Sequence, residues 1–376
     1  MKGKMERVTK KLSGYLKATQ VRGRGSLPEP KELAKIPDSE FIEMAYLVLL
    51  KRNPDPEGFH LYFEKIQSRE MSRDDLVLGL LQSSEFEKTY NQMPLHEFFL
   101  DPISVGSAEA FRPYVKNPPY QGHQLNELAN PYKWIDPDWR KFARDLQVVP
   151  TTFQGMHRKA FEWVQTIYGA NLLKKMNSHS VVLGVGTGHE PIVYWMAKHC
   201  KKVYATDLFR GEWVHGGATE GDPSVLKKPE KYQPFEYPRE RLTFLPMDGC
   251  HLAFKDSFFD LAFSLSSIEH FGGKDLSALA VREMERVLKP GGLAIIATEY
   301  ILNHREHTDF FNKHDLLECV VKPSRMKLVQ NISFKIPRIF IDNPIKFPSE
   351  IYRTPHLSLT DGNIVWTSVI LFFEKV

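Results

Sequence analysis

The chain has 376 residues, 42% hydrophobic and 26% charged, with a net charge of +4. That length suggests two or three domains, and the composition is that of an ordinary globular protein with a sizeable core. No apolar run approaches the roughly 20 residues a membrane span needs. Three distant cysteines (Cys200, Cys250 and Cys319) without a CxxC pair argue against a disulfide scaffold or zinc site and fit a reducing, cytoplasmic setting.

Residues 1–37 read as a basic tail and linker. The opening MKGKMERVTKKLSGYLK has no apolar core, so it is not a secretory signal. Residues 1–30 hold eight Lys/Arg against Glu6 and Glu29, which leaves the rest of the chain near −2. Two readings stand: a solvated, frayed end, or an arm that touches nucleic acid or an anionic membrane surface. QVRGRGSLPEPKELAKIP (20–37) is rich in Gly, Pro and charge and reads as the linker.

Residues 38–95 read as a small helical domain. Asp38 or Ser39 caps a first helix with Phe41, Ile42, Ala45 and Leu49 on one face. Asp55-Pro56 is an N-cap with proline at the first helical position. Phe59, Tyr62, Phe63 and Ile66 follow at helical spacing. Ser72 with Asp75 forms a capping box before Leu76, Leu80 and Leu81. The stretches RNPDPEGFHLYF and SRDDLVLGLLQSSEF resemble a small helical domain-of-unknown-function family related to phycobilisome linker repeats. The resemblance covers about fifty residues. It implies an interaction module that binds a protein partner, and no catalysis.

Residues 96–150 are irregular, with many prolines and aromatics. They contain NPPY (Asn117–Tyr120), which resembles the amine-binding motif of DNA adenine methyltransferases. That chemistry needs the motif at the end of a buried strand. SAEAFRPYVK before it is no such strand, so NPPY reads as a loop.

From 151 to 376 the pattern changes. MHRKAFEWVQTIYGANLL (156–173) is an amphipathic helix. After it SVVLGV, PIVYWMAKHC, KVYATD, RLTFLPMD, FDLAFSLSS, LSALAVREMERVLK and GGLAIIATEY alternate strand with helix, which predicts a parallel sheet flanked by helices. MKLVQNISF and NIVWTSVILFF look like the last strands. There is no internal repeat and no low-complexity tract.

The turn GVGTGHEP (184–191) lies where ligands bind such sheets, beyond the carboxyl ends of the strands. A dinucleotide fingerprint needs G-x-G-x-x-G, and both registers fail, at His189 and at Pro191. No GK[ST] follows, so a triphosphate cradle is unsupported. Alone, the glycines could serve only a tight corner. Asp207 ends KVYATD, 21 residues after Gly186, where a carboxylate can accept from ribose hydroxyls or cap a helix. Asp248-Gly249 ends LTFLPMDG, where an acid can accept from an exocyclic amine or simply make a turn.

Together with SFFDLAFSLSSIEHFGG and VLKPGGLAIIATEY, this ordered set resembles class I S-adenosylmethionine-dependent methyltransferases, especially the type 11 group. The resemblance covers roughly 178–335 and the final strand. It implies a Rossmann-like, doubly wound, mostly parallel seven-stranded sheet with an antiparallel last strand, beside the small all-α domain. It implies that Gly184, Val185, Gly186, Thr187 and Gly188 line the methionine half of S-adenosyl-L-methionine. Asp207 and Leu208 would meet the ribose, Asp248 and Gly249 the adenine, and Ser264 the cofactor's vicinity. Two departures stand out. Gly184 replaces the usual acid, and Glu190 occupies a position where a small residue is common. Glu190 is expected to offer its charge to the cofactor's ammonium or sulfonium.

His270 and Glu269 follow the fourth strand, near the expected methyl position. They are the candidate catalytic bases, with a pocket-shaping role as the alternative. Glu299, Tyr300, His304 and His307, and the insertion after Asp207 with Trp213, His215 and Tyr232, are candidates to line the acceptor pocket. No histidine has metal-ligand spacing, so no metal is expected. The leading reading is methyl transfer to a hydroxyl of a small molecule or surface glycan. The alternatives are an RNA or other nucleic-acid methyltransferase that uses the basic arm, and a non-catalytic cofactor-binding or scaffold protein.

Overall fold

The computed structural model describes residues 37–50, 52–81, 83–85, 102–148, 156–210, 221–350 and 355–376. The basic tail lies outside the described residues, as do Trp213 and His215. The chain divides into two compact units.

The first unit carries α1 (Asp38–Leu49), α2 (Pro56–Gln67) and α3 (Arg73–Leu81). Phe41, Ile42, Ala45 and Leu49 of α1 are buried together with Leu76, Val77 and Leu80 of α3. Asp55 caps α2 by accepting from Gly58 N at 2.8 Å. Ser72 and Asp75 cap α3 reciprocally, with Asp75 N donating to Ser72 Oγ at 3.2 Å and Ser72 N to Asp75 Oδ2 at 3.0 Å. Asp38, expected as a cap, is already helical. Pro37 holds the N-cap position, and Asp38 instead pairs with Arg73 of α3 at 2.6 Å. An acid in the first turn is favoured there in either role.

The second unit holds the sheet. Five parallel strands form its centre: β1 (Val181–Val185), β2 (Lys202–Asp207), β3 (Leu242–Pro246), β4 (Phe259–Leu265) and β5 (Leu288–Ile301). After β5 come β6 (Ile345–Lys346), β7 (Leu359–Thr360) and β8 (Val365–Glu374). The spatial order is β6-β7-β8-β5-β4-β1-β2-β3. β8 runs antiparallel to β5, from Trp366 opposite Ile301 to Glu374 opposite Leu293. The order reverses between β1 and β4, which makes their carboxyl ends the switch point of the sheet.

The far edge of β8 differs from the sequence expectation. MKLVQNISF contributes only the two-residue strand Lys327–Leu328, and the edge is shared with Glu127–Leu128 and β7, so the sheet counts ten strands. Three short pieces satisfy the backbone groups that one full strand would have paired. Much of residues 102–148 is thereby tied to the sheet. Asn126 donates to Gln330 O and accepts from Phe372 N, both at 2.7 Å. NPPY lies in irregular chain, held by Lys116 N on Leu328 O just before it and by its own Tyr120 N on Val329 O. It is at no parallel strand's end.

Among the described residues, four α-helices of nine residues or more belong to the second unit: α4 (Pro137–Asp145), α5 (Arg158–Leu172), α6 (Pro191–His199) and α7 (Lys274–Val287). α5 matches the expected amphipathic helix and buries Phe161, Val164, Ile167 and Tyr168. Its Gly169 meets β8 so closely that a Cβ there would stand 2.3 Å from Phe372 Cε1. This close seat carries the first turn of α5 to the carboxyl edge of the sheet.

Candidate cofactor and acceptor site

The glycine turn follows β1 directly. Gly186 and Gly188 have φ of +65° and +49°, a region that favours glycine. A Cβ at Gly186 would also fall 2.7 Å from Ser267 Cβ. Gly184 has a steric explanation. A Cβ there would lie 2.3 Å from Thr187 Cγ2 and 2.9 Å from Phe263 Cζ, so the space an acid would need is already filled. The turn is tied to β2 by Thr187 N on Thr206 O (3.1 Å) and Thr206 Oγ1 on Gly184 O (2.8 Å).

Asp207 ends β2 and faces this turn. Its Oδ2 accepts from Gly188 N and its Oδ1 from Phe209 N, each at 3.0 Å. A carboxylate offers about four acceptor positions, so capacity for hydroxyl groups remains beside the half-exposed Leu208. Asp248 is used locally: it accepts from Cys250 N at 2.8 Å and meets His251 Nδ1 at 3.2 Å. Gly249 is a close-approach point, where a Cβ would lie 2.5 Å from Phe271 Cε2 and 2.8 Å from Val185 Cγ1. The Phe271 ring thus reaches both Gly249 and Gly186. No periodicity in the sequence marks that ring as part of the site.

Beside the turn lies a buried ion cluster that motif reasoning largely missed. Glu190 takes the N-cap position of α6 but makes no capping bond there. Its Oε1 pairs with Lys159 Nζ at 2.7 Å. Lys159 also meets Glu162 Oε2 at 3.3 Å and donates to Leu265 O, at the end of β4, at 3.0 Å. Glu162 is fully buried and accepts from Ser266 Oγ at 2.8 Å and from Ser368 Oγ. Arg158 reaches Glu162 at 3.4 Å and Glu299 at 2.5 Å. Glu299 N donates to the Glu269 carboxylate at 3.3 Å. The chain of contacts runs from the glycine turn to β5. The sequence reading gave α5 only as an amphipathic helix, and the seat of α5 on the sheet shows what Arg158, Lys159 and Glu162 face.

Burial, with Glu299 adding to it, pushes the Glu269 carboxyl up to about 8. Burial also raises Glu299, against the pull of Arg158. Among the described residues, Glu269 Oε2, Glu299 Oε2 and Ser264 Oγ are buried atoms with no hydrogen-bond partner.

The other expected residues scatter. His270 is half-buried, with its ring 6.1 Å from Phe310, which stacks on His307 at 4.5 Å. His304 is exposed at φ +58°. Tyr300, expected to line a pocket, is instead core: fully buried and packed on Phe334 at 5.2 Å. Strand alternation turns it to the face opposite Glu299. In the insertion, Tyr232 stacks on His189 at 4.3 Å, beside the turn.

Residues 183–296 match the family model of a methyltransferase domain, and residues 30–90 match that of a domain of unknown function. Over 70 residues the chain is 37% identical to proteins of Mus musculus and Homo sapiens, each named probable tRNA methyltransferase 9B. Those matches cover 19% of this chain and 15% of each relative. A TehB-like SAM-dependent methyltransferase from Corynebacterium glutamicum is similar in structure, with TM-score 0.34 and 15% identity over 66% of this chain and all of that one. A SAM-dependent methyltransferase from Aquifex aeolicus has TM-score 0.33 and 13% identity over 55% and 88%. The stretch that matches the methyltransferase-domain model runs from β1 into β5 of the sheet-bearing unit.

Proposed function

We propose that the whole protein is an active methyltransferase that passes the methyl group of S-adenosylmethionine to a hydroxyl of a small molecule or glycan. The observation that supports this best is convergence. The glycine turn, Asp207 and the buried carboxylates all lie at the carboxyl edge around the switch point. In this reading Gly186 and Gly188 hold the methionine half, Asp207 the ribose, and Gly249 with Phe271 the flat face of adenine. Asp248 retains exposed acceptor capacity at the adenine side. Glu190 contributes negative charge beside the turn.

When bound, the cofactor supplies an electrophilic methyl on its sulfonium. The chain's own residues must place the acceptor, exclude water and take up the hydroxyl proton. Glu269, its carboxyl raised to about 8 by burial and the Glu299 charge, and His270 are the two candidate bases. His270 stands next to Glu269 at the half-buried edge. Native mass spectrometry of the purified protein is expected to show retained S-adenosylmethionine or S-adenosylhomocysteine. Absence of both, with no calorimetric binding of either, would remove this reading.

A tRNA acceptor is the second reading, favoured by the identity to proteins named as tRNA methyltransferases and by the basic first thirty residues. It expects tRNA binding that weakens steeply with salt and is lost on removal of residues 1–30. Binding that survives both would retire the arm's role. The helical segment at 38–95 remains the expected seat of a protein partner.

A further inference from the structure

The ion cluster is out of charge balance. Among the described residues Arg158 and Lys159 meet three carboxylates, Glu162 from the same helix, Glu190 after the glycine turn and Glu299 on β5, and a fourth, Glu269 after β4, joins them through Glu299 N. All four acids are buried. Fully ionised, the group carries a net charge of −2 in a setting without solvent, which is strongly unfavourable. Serines 266 and 368 satisfy Glu162, and the two cations hold Glu162, Glu190 and Glu299. Among the described residues Glu269 alone of the four has no cation beside it; it accepts a long bond from Glu299 N and is supported by the Thr298 hydroxyl and backbone amides. The excess proton belongs on Glu269 and its neighbour Glu299, whose second carboxylate oxygens have no protein partner.

We propose that the Glu269–Glu299 pair holds one exchangeable proton near neutral pH and releases it when a cationic ligand enters beside Lys159 and Glu190. The proposal rests on the methyltransferase reading. S-adenosylmethionine carries a net charge of +1, and its demethylated product carries none. A cation added to a poorly solvated cluster lowers the proton affinity of carboxylates that already repel one another. The pair is then ionised while the sulfonium is present. As a hydroxyl gives its oxygen lone pair to the methyl, the S–CH3 bond breaks and the O–H proton passes to the pair. The pair ends protonated beside an uncharged thioether, so the charge balance closes and product binding loses its electrostatic advantage. Arg158, which touches Glu299, and Lys159, which touches Glu190, are positioning residues that keep both ends of the cluster in register.

The test is calorimetry on the whole protein, in two buffers of different ionisation enthalpy, with S-adenosylmethionine and S-adenosylhomocysteine as paired probes. Both probes share the amino-acid moiety, so their difference isolates the sulfonium. Near pH 7 the cofactor is expected to release close to one proton more than the product. Between pH 6 and 8 its affinity relative to the product should rise by up to about tenfold per pH unit. Glu269→Gln should abolish the difference in proton count. Equal proton counts for the two probes, or an affinity ratio independent of pH in the unaltered protein, would overturn the proposal while leaving the methyltransferase reading intact. Failure of both probes to bind would remove that reading and this inference together.

Discussion

The glycine turn and the ion cluster meet at Lys159, yet they are built in opposite ways. The turn works through backbone: positive φ values, close approach at Gly186 and Gly249, and amides tied to β2. The cluster works through long side chains that five separated segments deliver to one dry place. The turn's requirements are local, so they leave a motif. The cluster's are tertiary, so each of its residues looks ordinary in the sequence. The two should therefore fail differently when altered.

The largest effect is expected from Glu162→Leu. It takes a shared acid from two cations that keep Glu299 and Glu190, and it takes the acceptor from the Ser266 and Ser368 hydroxyls, so it should cost about 3–5 kcal/mol in denaturant unfolding. A loss below about 1 kcal/mol would mean the cluster is far better solvated than its burial indicates. Gly249→Ala attacks the other region. Its methyl needs room held by Phe271 and Val185, so cofactor affinity should fall at least about tenfold by calorimetry, with a fold penalty of about 1–3 kcal/mol. If stability drops while affinity holds, Phe271 is not part of the nucleoside cleft. Glu190→Gln keeps the shape and removes the charge that Lys159 balances. A severalfold weaker grip on S-adenosylmethionine is expected, and unchanged affinity would take Glu190 out of the site.

Acid and alkaline stability sharpen the contrast between cluster and scaffold. Glu269 is raised from 4.5 to about 8, so the folded protein binds more protons than the unfolded chain between those values. Its contribution is present below 4.5 and lost as pH rises toward 8. His157 behaves in the reverse sense. It caps α5 by accepting from Lys159 N, and its ring stacks on His356 at 4.2 Å. Burial first, then His356, Arg158 and Lys159, lower it from 6.5 to about 2. Stability from the neutral ring is present above 6.5 and is lost as pH falls below it. Melting temperatures across pH 5–8.5 should show Glu269→Gln flattening the alkaline side. His157→Asn, which can still cap, should flatten the acid side. The smallest effect is expected from Asp55→Ala. It removes an exposed cap of α2 and should lower helical-unit stability slightly without changing cofactor affinity.

Strand periods, proline and capping residues, and the glycine spacing are short-range signals. From them the five parallel strands, NIVWTSVILFF as a last strand, the caps at Asp55 and Ser72, and the loop reading of NPPY were all legible; the antiparallel direction of that strand was implied only by the family resemblance. The sequence also brought Glu190 and Asp207 into question, because a strand end followed by glycines has few uses. Only the folded chain could divide the edge of β8 among three short strands, or turn Tyr300 inward while turning Glu299 toward Arg158. It alone could also fill the place of an acid at Gly184 with Thr187 and Phe263. Those outcomes depend on which faces meet once separate segments of the chain are packed together. Burial, repulsion between carboxylates and the proton they must keep are properties of that meeting, and no single segment contains them.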